Sequence, residues 1–319
     1  MLKLSIVIPA YNVEKYIANC IESCFYQDID KNEFELLVID DGSTDQTSSI
    51  IQKYAKQYGN IRYIKQEHGG AGAARNLGIN NAKGTYIWFV DSDDEIEKHV
   101  ISSLVENAFQ QNLDVLCFDI EVIENNLSAG RYPYQHNTKN TIYTGTEFIT
   151  QVNMPPSACP ALFRSEFLRE NDLLFITGYV YEDYDFTLRA YCLAKRIAYL
   201  SIPAYRYLVR KESVMTSSKN RNNKAQAMLR VCDSLYDFSE KHLAADTDAR
   251  KTLTRKINFA FSQSLRNYSP DVFSLDEYRR KPYYPLDVSV EGERKWRLKY
   301  RLANLSLRLY LLVHKWVKR

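Results

Sequence analysis

This sequence predicts an α/β domain with a mainly parallel sheet, followed by a helical C-terminal region. Three observations carry that prediction. Short apolar runs rich in branched and aromatic residues alternate with segments of helical period from Leu4 to Val90. Three of these runs break abruptly into polar or acidic clusters. Beyond about Asn220 strand-like runs give way to amphipathic helical spacing. The expected division is therefore a domain over 1–220 and a helical region over 221–319.

The elements follow in order. Leu4 to Pro9 reads as a buried strand, with Ala10, Tyr11 and Asn12 as the turn after it. Val13, Ile17, Ile21 and Cys24 recur at helical spacing up to Phe25. Phe34 to Ile39 is a second strand, closed by Asp40 and Asp41, and Ser43 or Thr44 is positioned to cap a helix from Gln46 to Tyr58. Ile61 to Lys65 is a short third strand. Gly69, Gly70 and Gly72 form a flexible loop into a helix from about Ala73 to Asn81. Tyr86 to Val90 is a strand apolar on both faces, and it ends in Asp91, Ser92, Asp93, Asp94 and Glu95. A helix from Ile101 to Gln111 and a strand from Asp114 to Ile123 follow. Asn125 to Asn140 is polar and irregular. Thr187 to Ala194 reads as a helix and Ile197 to Ser201 as a strand.

Composition sets the outer limits. The 319 residues are 45% hydrophobic and 25% charged, ordinary values for a globular protein of one large or two smaller domains. Cys20, Cys24, Cys117, Cys159, Cys192 and Cys232 form no C-x-x-C pair and no regular framework, which fits reduced thiols in a cytoplasmic protein. No leader pattern precedes the first strand, and no apolar run reaches transmembrane length. The net charge of +3 hides an asymmetry: from Arg294 onward nine basic residues occur with no acid, so the rest of the chain is net acidic. An acidic body excludes a general nucleic-acid binder.

The polar strand ends are the first specific signal. In open α/β sheets ligands gather outside the carboxyl ends of the strands. Three such ends are polar here: Pro9–Tyr11–Asn12, Asp40–Asp41 and Asp91–Asp93. Asp91 and Asp93 are two apart, so in an extended backbone they point to one side. They form a small hard-oxygen site of the kind Mg²⁺ or Mn²⁺ prefers. Taken alone, an acidic turn capping the next helix explains the same residues. Gly69, Gly70 and Gly72 are on their own no more than a flexible connection.

The segments SIVIPAYN, VIDDGSTD, GGAGAARNLGI, GTYIWFVDSDD and YEDYDF occur in that order. Together they resemble the family 2 glycosyltransferases, enzymes with the Rossmann-like GT-A fold, over roughly residues 4–215. His68 departs from the family pattern, which more often has Asn there. The resemblance implies that Pro9, Tyr11 and Asp41 surround the base and ribose of a nucleotide. Tyr11 can stack on a pyrimidine, and Asp41 can accept from a base N–H. It implies that Arg75 meets phosphate or an acidic partner, that Asp93 binds a metal carrying the diphosphate, and that Asp91 contacts ribose or metal. Asp94 is expected as an acid at a helix N-terminus. Glu182 and Asp183 match the family's acidic pair: Asp183 as the base that deprotonates the incoming hydroxyl, Glu182 as an acceptor-binding or orienting group. A helix N-terminus decorated with acids is the bland alternative, and Asp185 is the local competitor. Tyr205, Arg206, Tyr207, Arg210, Lys211 and Ser213 resemble the segment that closes over the diphosphate, with Arg210 and Ser213 as phosphate contacts. Ser157 to Phe167 resembles the acceptor-proximal strand and turn.

The C-terminal third carries no motif of the family. Lys224 to His242 and Thr247 to Tyr268 look amphipathic. Leu298, Leu302, Leu305, Leu309, Leu312 and Trp316 fall on one stripe of a single final helix, flanked by Arg301, Arg308 and Lys315, with Trp296 at its other end. That pattern reads as an interfacial helix on an anionic membrane, or as a basic helix docked on its own domain or a second subunit.

The expected function is an inverting glycosyltransferase of the hexosyltransferase type, dependent on Mn²⁺ or Mg²⁺. It moves a sugar from a nucleotide-sugar, most naturally a UDP-sugar, to a hydroxyl of a glycan or lipid-linked saccharide in polysaccharide biosynthesis. Its expected place is the cytoplasm, peripheral on the inner face of the plasma membrane. A non-catalytic nucleotide- or glycan-binding protein of the same fold is the alternative. A phosphoacceptor receiver domain fits poorly, because Lys65 ends the third strand where its Asp would stand.

Overall fold

The computed structural model describes residues 1–132, 141–152, 157–210, 221–268, 270 and 274–317. Chain contacts divide into two compact units, Met1–Gly178 with Glu182–Lys211, and Tyr179–Tyr181 with Glu212–Arg319.

The first unit is built on one mixed sheet. Its N-terminal half alternates strand and helix: β1 Leu4–Ala10, α1 Ile17–Ser23, β2 Phe34–Asp40, α2 Thr47–Gln57, β3 Ile61–Lys65, α3 Ala71–Asn81 and β4 Tyr86–Phe89. All residues of β1 and β2 and all of β4 are buried, the reason they read as unbroken apolar runs. The second half adds β5 Glu95–Ile96, α4 Ile101–Gln110, β6 Val115–Glu124, β7 Leu127–Tyr132, β8 Ile142–Tyr143, α5 Gly145–Gln151, β9 Ala161–Arg164, α6 Ser165–Glu170, α7 Glu182–Leu193 and β10 Ile197–Leu208. The strand order is β3-β2-β1-β4-β9-β6-β10-β5, with β7 on β6 and β8 on β10. The expected parallel sheet is present in β3-β2-β1-β4 and in the β6–β10 pair. Strands β5, β7, β8 and β9 add antiparallel pairings.

Several sequence expectations are corrected. The helix expected from Val13 begins only at Ile17, because 13–16 form a turn that hands the Val13 N–H to the Thr47 hydroxyl at 2.8 Å. Helix α2 takes no cap from Ser43 or Thr44. Its Thr47 N–H is accepted by Asp45 at 3.0 Å instead. Asp94 does not open a helix: Glu95–Ile96 pairs antiparallel with β10. The polar segment after Asn125 is not irregular throughout, since 127–132 forms an exposed strand on β6. Strand β10 runs on to Leu208, well beyond Ser201, through a register shift at Pro203.

The core sits between this sheet and its helices. Trp88 is fully buried, donates its indole N–H to the Cys159 carbonyl at 2.7 Å, and meets Phe118 edge-on at 5.0 Å. All six cysteines are free and buried.

The second unit is helical: α8 Arg221–His242, α9 Asp248–Arg266, α10 Leu275–Arg279, α11 Arg294–Leu305 and α12 Leu307–Val317. The single final helix expected from the leucine spacing is two helices, broken where Ser306 adopts an extended backbone (φ −162°, ψ 115°). Inside the unit, Lys281 donates to both carboxylate oxygens of Asp233 at 2.8 and 2.7 Å, and the Tyr283 hydroxyl donates to Asp233 as well.

Candidate active site

The carboxyl ends of β1, β2 and β4 bring the predicted polar clusters to one edge of the sheet. After β1, Asn12 takes a left-handed backbone (φ 51°), and its amide oxygen accepts from Thr44 N–H at 2.8 Å. This ties the first turn to the one after β2. Tyr11 is 43% exposed and stacks on His68, ring centroids 4.1 Å apart at 25°. A broad aromatic face at the sheet edge is therefore assembled from the β1 turn and the loop after β3.

Asp41 is buried and saturated. One oxygen accepts from Gln66 at 2.6 Å and from Gly69 N–H at 2.8 Å. The other accepts from Gly70 N–H at 2.8 Å and lies 2.9 Å from His68 Nδ1. Asp41, expected to accept from a base N–H, also anchors the glycine loop. Gly70 opens α3 at φ +87°, a conformation that excludes most side chains. A Cβ on Gly72 would lie 2.4 Å from the Ile176 carbonyl oxygen, so only glycine lets α3 approach that closely.

Helix α3 delivers Arg75, which is the hub of the site. Its guanidinium is 4% exposed and contacts three carboxylates: Asp91 at 2.6 Å, Glu182 at 2.6 Å and Asp183 at 3.4 Å. It also lies over the Phe175 ring at 5.3 Å. Two α3 residues thus set the site: Gly72 allows the close packing, and Arg75 joins the β4 turn to the start of α7. Of the readings left open for Arg75, the acidic-partner one is what the structure contains.

Asp91 and Asp93 follow β4. Ligand oxygens of Asp91, Asp93 and Asp94 lie within 4.8 Å of one another, a spacing that fits a hard divalent cation. Asp94 has other duties: its oxygens accept from the Tyr205 hydroxyl at 2.6 Å and from Leu208 N–H at 2.8 Å. Tyr205 in turn accepts from Asp91 N–H at 3.3 Å. Asp94 and Tyr205 therefore brace the acidic turn against the end of β10. Asp91, expected with Asp93 to hold a metal, likewise gives one oxygen to Arg75 at 2.6 Å. Arg210 forms an ion pair with Asp93 and lies 4.6 Å over the Tyr16 ring, a cation already drawn to the acidic turn. Ser213 and Lys211 lie outside the described residues.

Glu182 and Asp183 sit in the first turn of α7, five residues before the helix expected from Thr187. Burial pushes the Asp183 carboxyl up to about 7, with the charges of Glu182 and Asp91 acting in the same sense and Arg75 opposing them. One buried Asp183 oxygen, the one 3.4 Å from the Arg75 guanidinium, makes no hydrogen bond among the described residues. A carboxyl raised in this way marks a candidate functional residue. Asp185, the local competitor, is wholly buried; one of its oxygens is held by Arg189, with contacts at 2.5 and 2.9 Å, and the other has no hydrogen-bond partner among the described residues.

Sequence reasoning missed Tyr16, Gln66 and the brace made by Asp94. Gln66 lay in view, two residues before His68. No pattern pointed to Tyr16.

Comparison with known proteins identifies the family. Residues 5–171 match the family model described as Glycosyl transferase family 2. The poly(ribitol-phosphate) beta-N-acetylglucosaminyltransferase TarS of Staphylococcus aureus is 34% identical over 220 residues, 68% of this chain and 37% of TarS. The glycosyltransferase GlyG of Streptococcus pneumoniae is 30% identical over 309 residues, 83% of this chain and 98% of GlyG. The chain thus spans well under half the length of TarS. A crystal structure of S. aureus TarS 1–349 in complex with UDP superposes with a TM-score of 0.70 at 26% identity, covering 99% of this chain and 91% of that one. The architecture, the ordered motifs and the family match lead to one assignment: this chain belongs to glycosyl transferase family 2.

Proposed function

We propose that this chain is an inverting glycosyltransferase. It transfers a sugar from a UDP-sugar to a hydroxyl of a glycan or lipid-linked saccharide acceptor in polysaccharide biosynthesis. The observation that carries the reading is Arg75 joining the metal-type acids at the end of β4 to the acidic pair that opens α7. TarS structures in complex with UDP and with UDP-GlcNAc support the donor class.

The proposed chemistry is a single displacement. Asp183 takes the proton from the acceptor hydroxyl as its oxygen bonds to the anomeric carbon. The bond from that carbon to the diphosphate oxygen breaks on the opposite face, so the configuration inverts and the nucleoside diphosphate departs. Glu182 orients the acceptor, and Arg75 keeps Glu182 and Asp183 in register with Asp91. Tyr11 stacks on the base beside Pro9, with Asp41 shaping the loop around it. Arg210 and Ser213 serve the diphosphate. Asp93 and Asp91 would hold a Mn²⁺ or Mg²⁺ ion, which when bound offsets the negative charge growing on the leaving group. The enzyme works in the cytoplasm. A lipid-linked acceptor places it peripherally at the inner face of the plasma membrane.

Calorimetric titration with a panel of nucleoside diphosphates, with and without Mn²⁺, tests the reading. UDP is expected to bind with metal, and binding is expected to fail in Asp93→Ala. Absence of nucleotide binding under both conditions would remove the premise.

A further inference from the structure

The final two helices carry an outward face that the transferase reading does not use. Their inward seam is formed by Tyr300, Ala303, Leu307 and Tyr310, all at most 3% exposed. This is a different set from the predicted leucine stripe. Four of the five stripe leucines are exposed, Leu298 at 53%, Leu305 at 79%, Leu309 at 41% and Leu312 at 63%, joined by Val313 at 43%, while Leu302 is half-buried. A concentration of exposed apolar side chains over so short a stretch marks an interaction surface.

Its charge says what covers it. Arg294, Arg297, Arg301 and Arg308 are exposed on the same two helices, and no acid occurs from Arg294 to the end of the sequence. Among the described residues, Arg301 and Arg308 make no ion pair, whereas Lys295 pairs with Glu293. Trp296, which marks one end of the predicted helix, packs within its own unit. It meets Phe259 at 6.3 Å and Tyr300 at 5.9 Å, with the Lys299 amine over its ring at 4.4 Å. The free face therefore consists of leucines rimmed by arginines. Among the described residues no helix is long and apolar enough to cross a membrane. Leucines that enter the acyl boundary with arginines at the phosphate level describe a helix pair lying in the plane of an anionic bilayer.

We propose that the outward face of α11 and α12 is a docking surface for anionic phospholipid, with Leu305, Leu309 and Leu312 inserted and Arg301 and Arg308 on head-group phosphates. This gives the peripheral placement proposed above a specific surface. Vesicle binding needs no turnover, so it fails or succeeds independently of the transferase reading.

The test is co-sedimentation of the full chain with phosphatidylcholine vesicles, with and without phosphatidylglycerol. Binding is expected only with phosphatidylglycerol and is expected to weaken with salt. Arg301→Gln/Arg308→Gln should bind roughly 30-fold more weakly, from about 1 kcal/mol for each basic residue at the surface. Leu305→Glu/Leu312→Glu should abolish binding while leaving thermal melting unchanged, since both positions are exposed. Equal binding to neutral vesicles, no binding to either, or full binding by the leucine variant would overturn the proposal. So would a wild-type dimer in light scattering that the leucine variant splits without loss of vesicle binding, because the face would then be a subunit contact.

Discussion

Replacing Arg75 with Met keeps much of the side-chain volume and removes the only cation that bridges both halves of the site among the described residues. Two unit charges about 4 Å apart attract by about 4 kcal/mol at an effective dielectric near 20. Three such contacts do not simply add, because the wild type already bears the desolvation of a buried guanidinium. Breaking a buried ion pair from one side costs about 3–5 kcal/mol, and that range applies here because the stranded carboxylates can take up protons and cap the loss. In a unit of this size each kcal/mol moves the melting midpoint by about 2–4 °C, so calorimetry should find Arg75→Met lower by about 6–20 °C. The loss should be larger at pH 8 than at pH 6. Without Arg75 the proton affinity of Asp183 rises further, and a carboxyl raised in the fold loses stability as pH climbs. Arg75→Lys should recover only part of the loss, because an ammonium lacks the fork that spans Asp91 and Glu182. A melt within about 1 °C of wild type at pH 8 would show that Arg75 does not hold these acids together.

Other consequences follow from the same geometry. If Asp183 is the base, kcat/KM should rise with pH through about 7, the position to which burial brings its carboxyl. Stability should move the opposite way. Asp183 and Asp94 both stand near 7 in the fold against an ordinary 3.8, so the folded chain binds more protons over that window and loses stability as pH rises through it. Parallel rises of activity and stability between pH 5 and 7 would contradict this assignment. Gly72→Ala should cost about 1–3 kcal/mol by calorimetry, because its Cβ would lie 2.4 Å from the Ile176 carbonyl oxygen; an unchanged melt would refute the close approach.

The fold was legible where local pattern and tertiary demand agree. Buried strands such as LSIVIP and FELLVI cannot be read otherwise, and the clusters that end them lie at the sheet edge because parallel strands all terminate there. What stayed hidden depends on contacts distant in sequence. Asp94 looks like any acid before a helix until Tyr205 and Leu208, more than a hundred residues on, occupy its oxygens. A turn of successive polar residues likewise gives no sign that the Gly69–Gly70 backbone will donate to Asp41. The C-terminal stripe misled for a different reason. Spacing alone cannot show that Ser306 breaks the helix, so Leu298, Leu305, Leu309 and Leu312, which seemed to share one seam, are exposed while Tyr300 and Tyr310 are buried.

The central claim is that Asp183 removes the acceptor proton. The measurement that tests it most directly is single-turnover sugar transfer from a UDP-sugar by wild type and Asp183→Asn, with UDP affinity measured on both. The account predicts a rate lower by about 10²–10⁴ in the variant with UDP affinity unchanged. Wild-type turnover by Asp183→Asn would take Asp183 out of the mechanism.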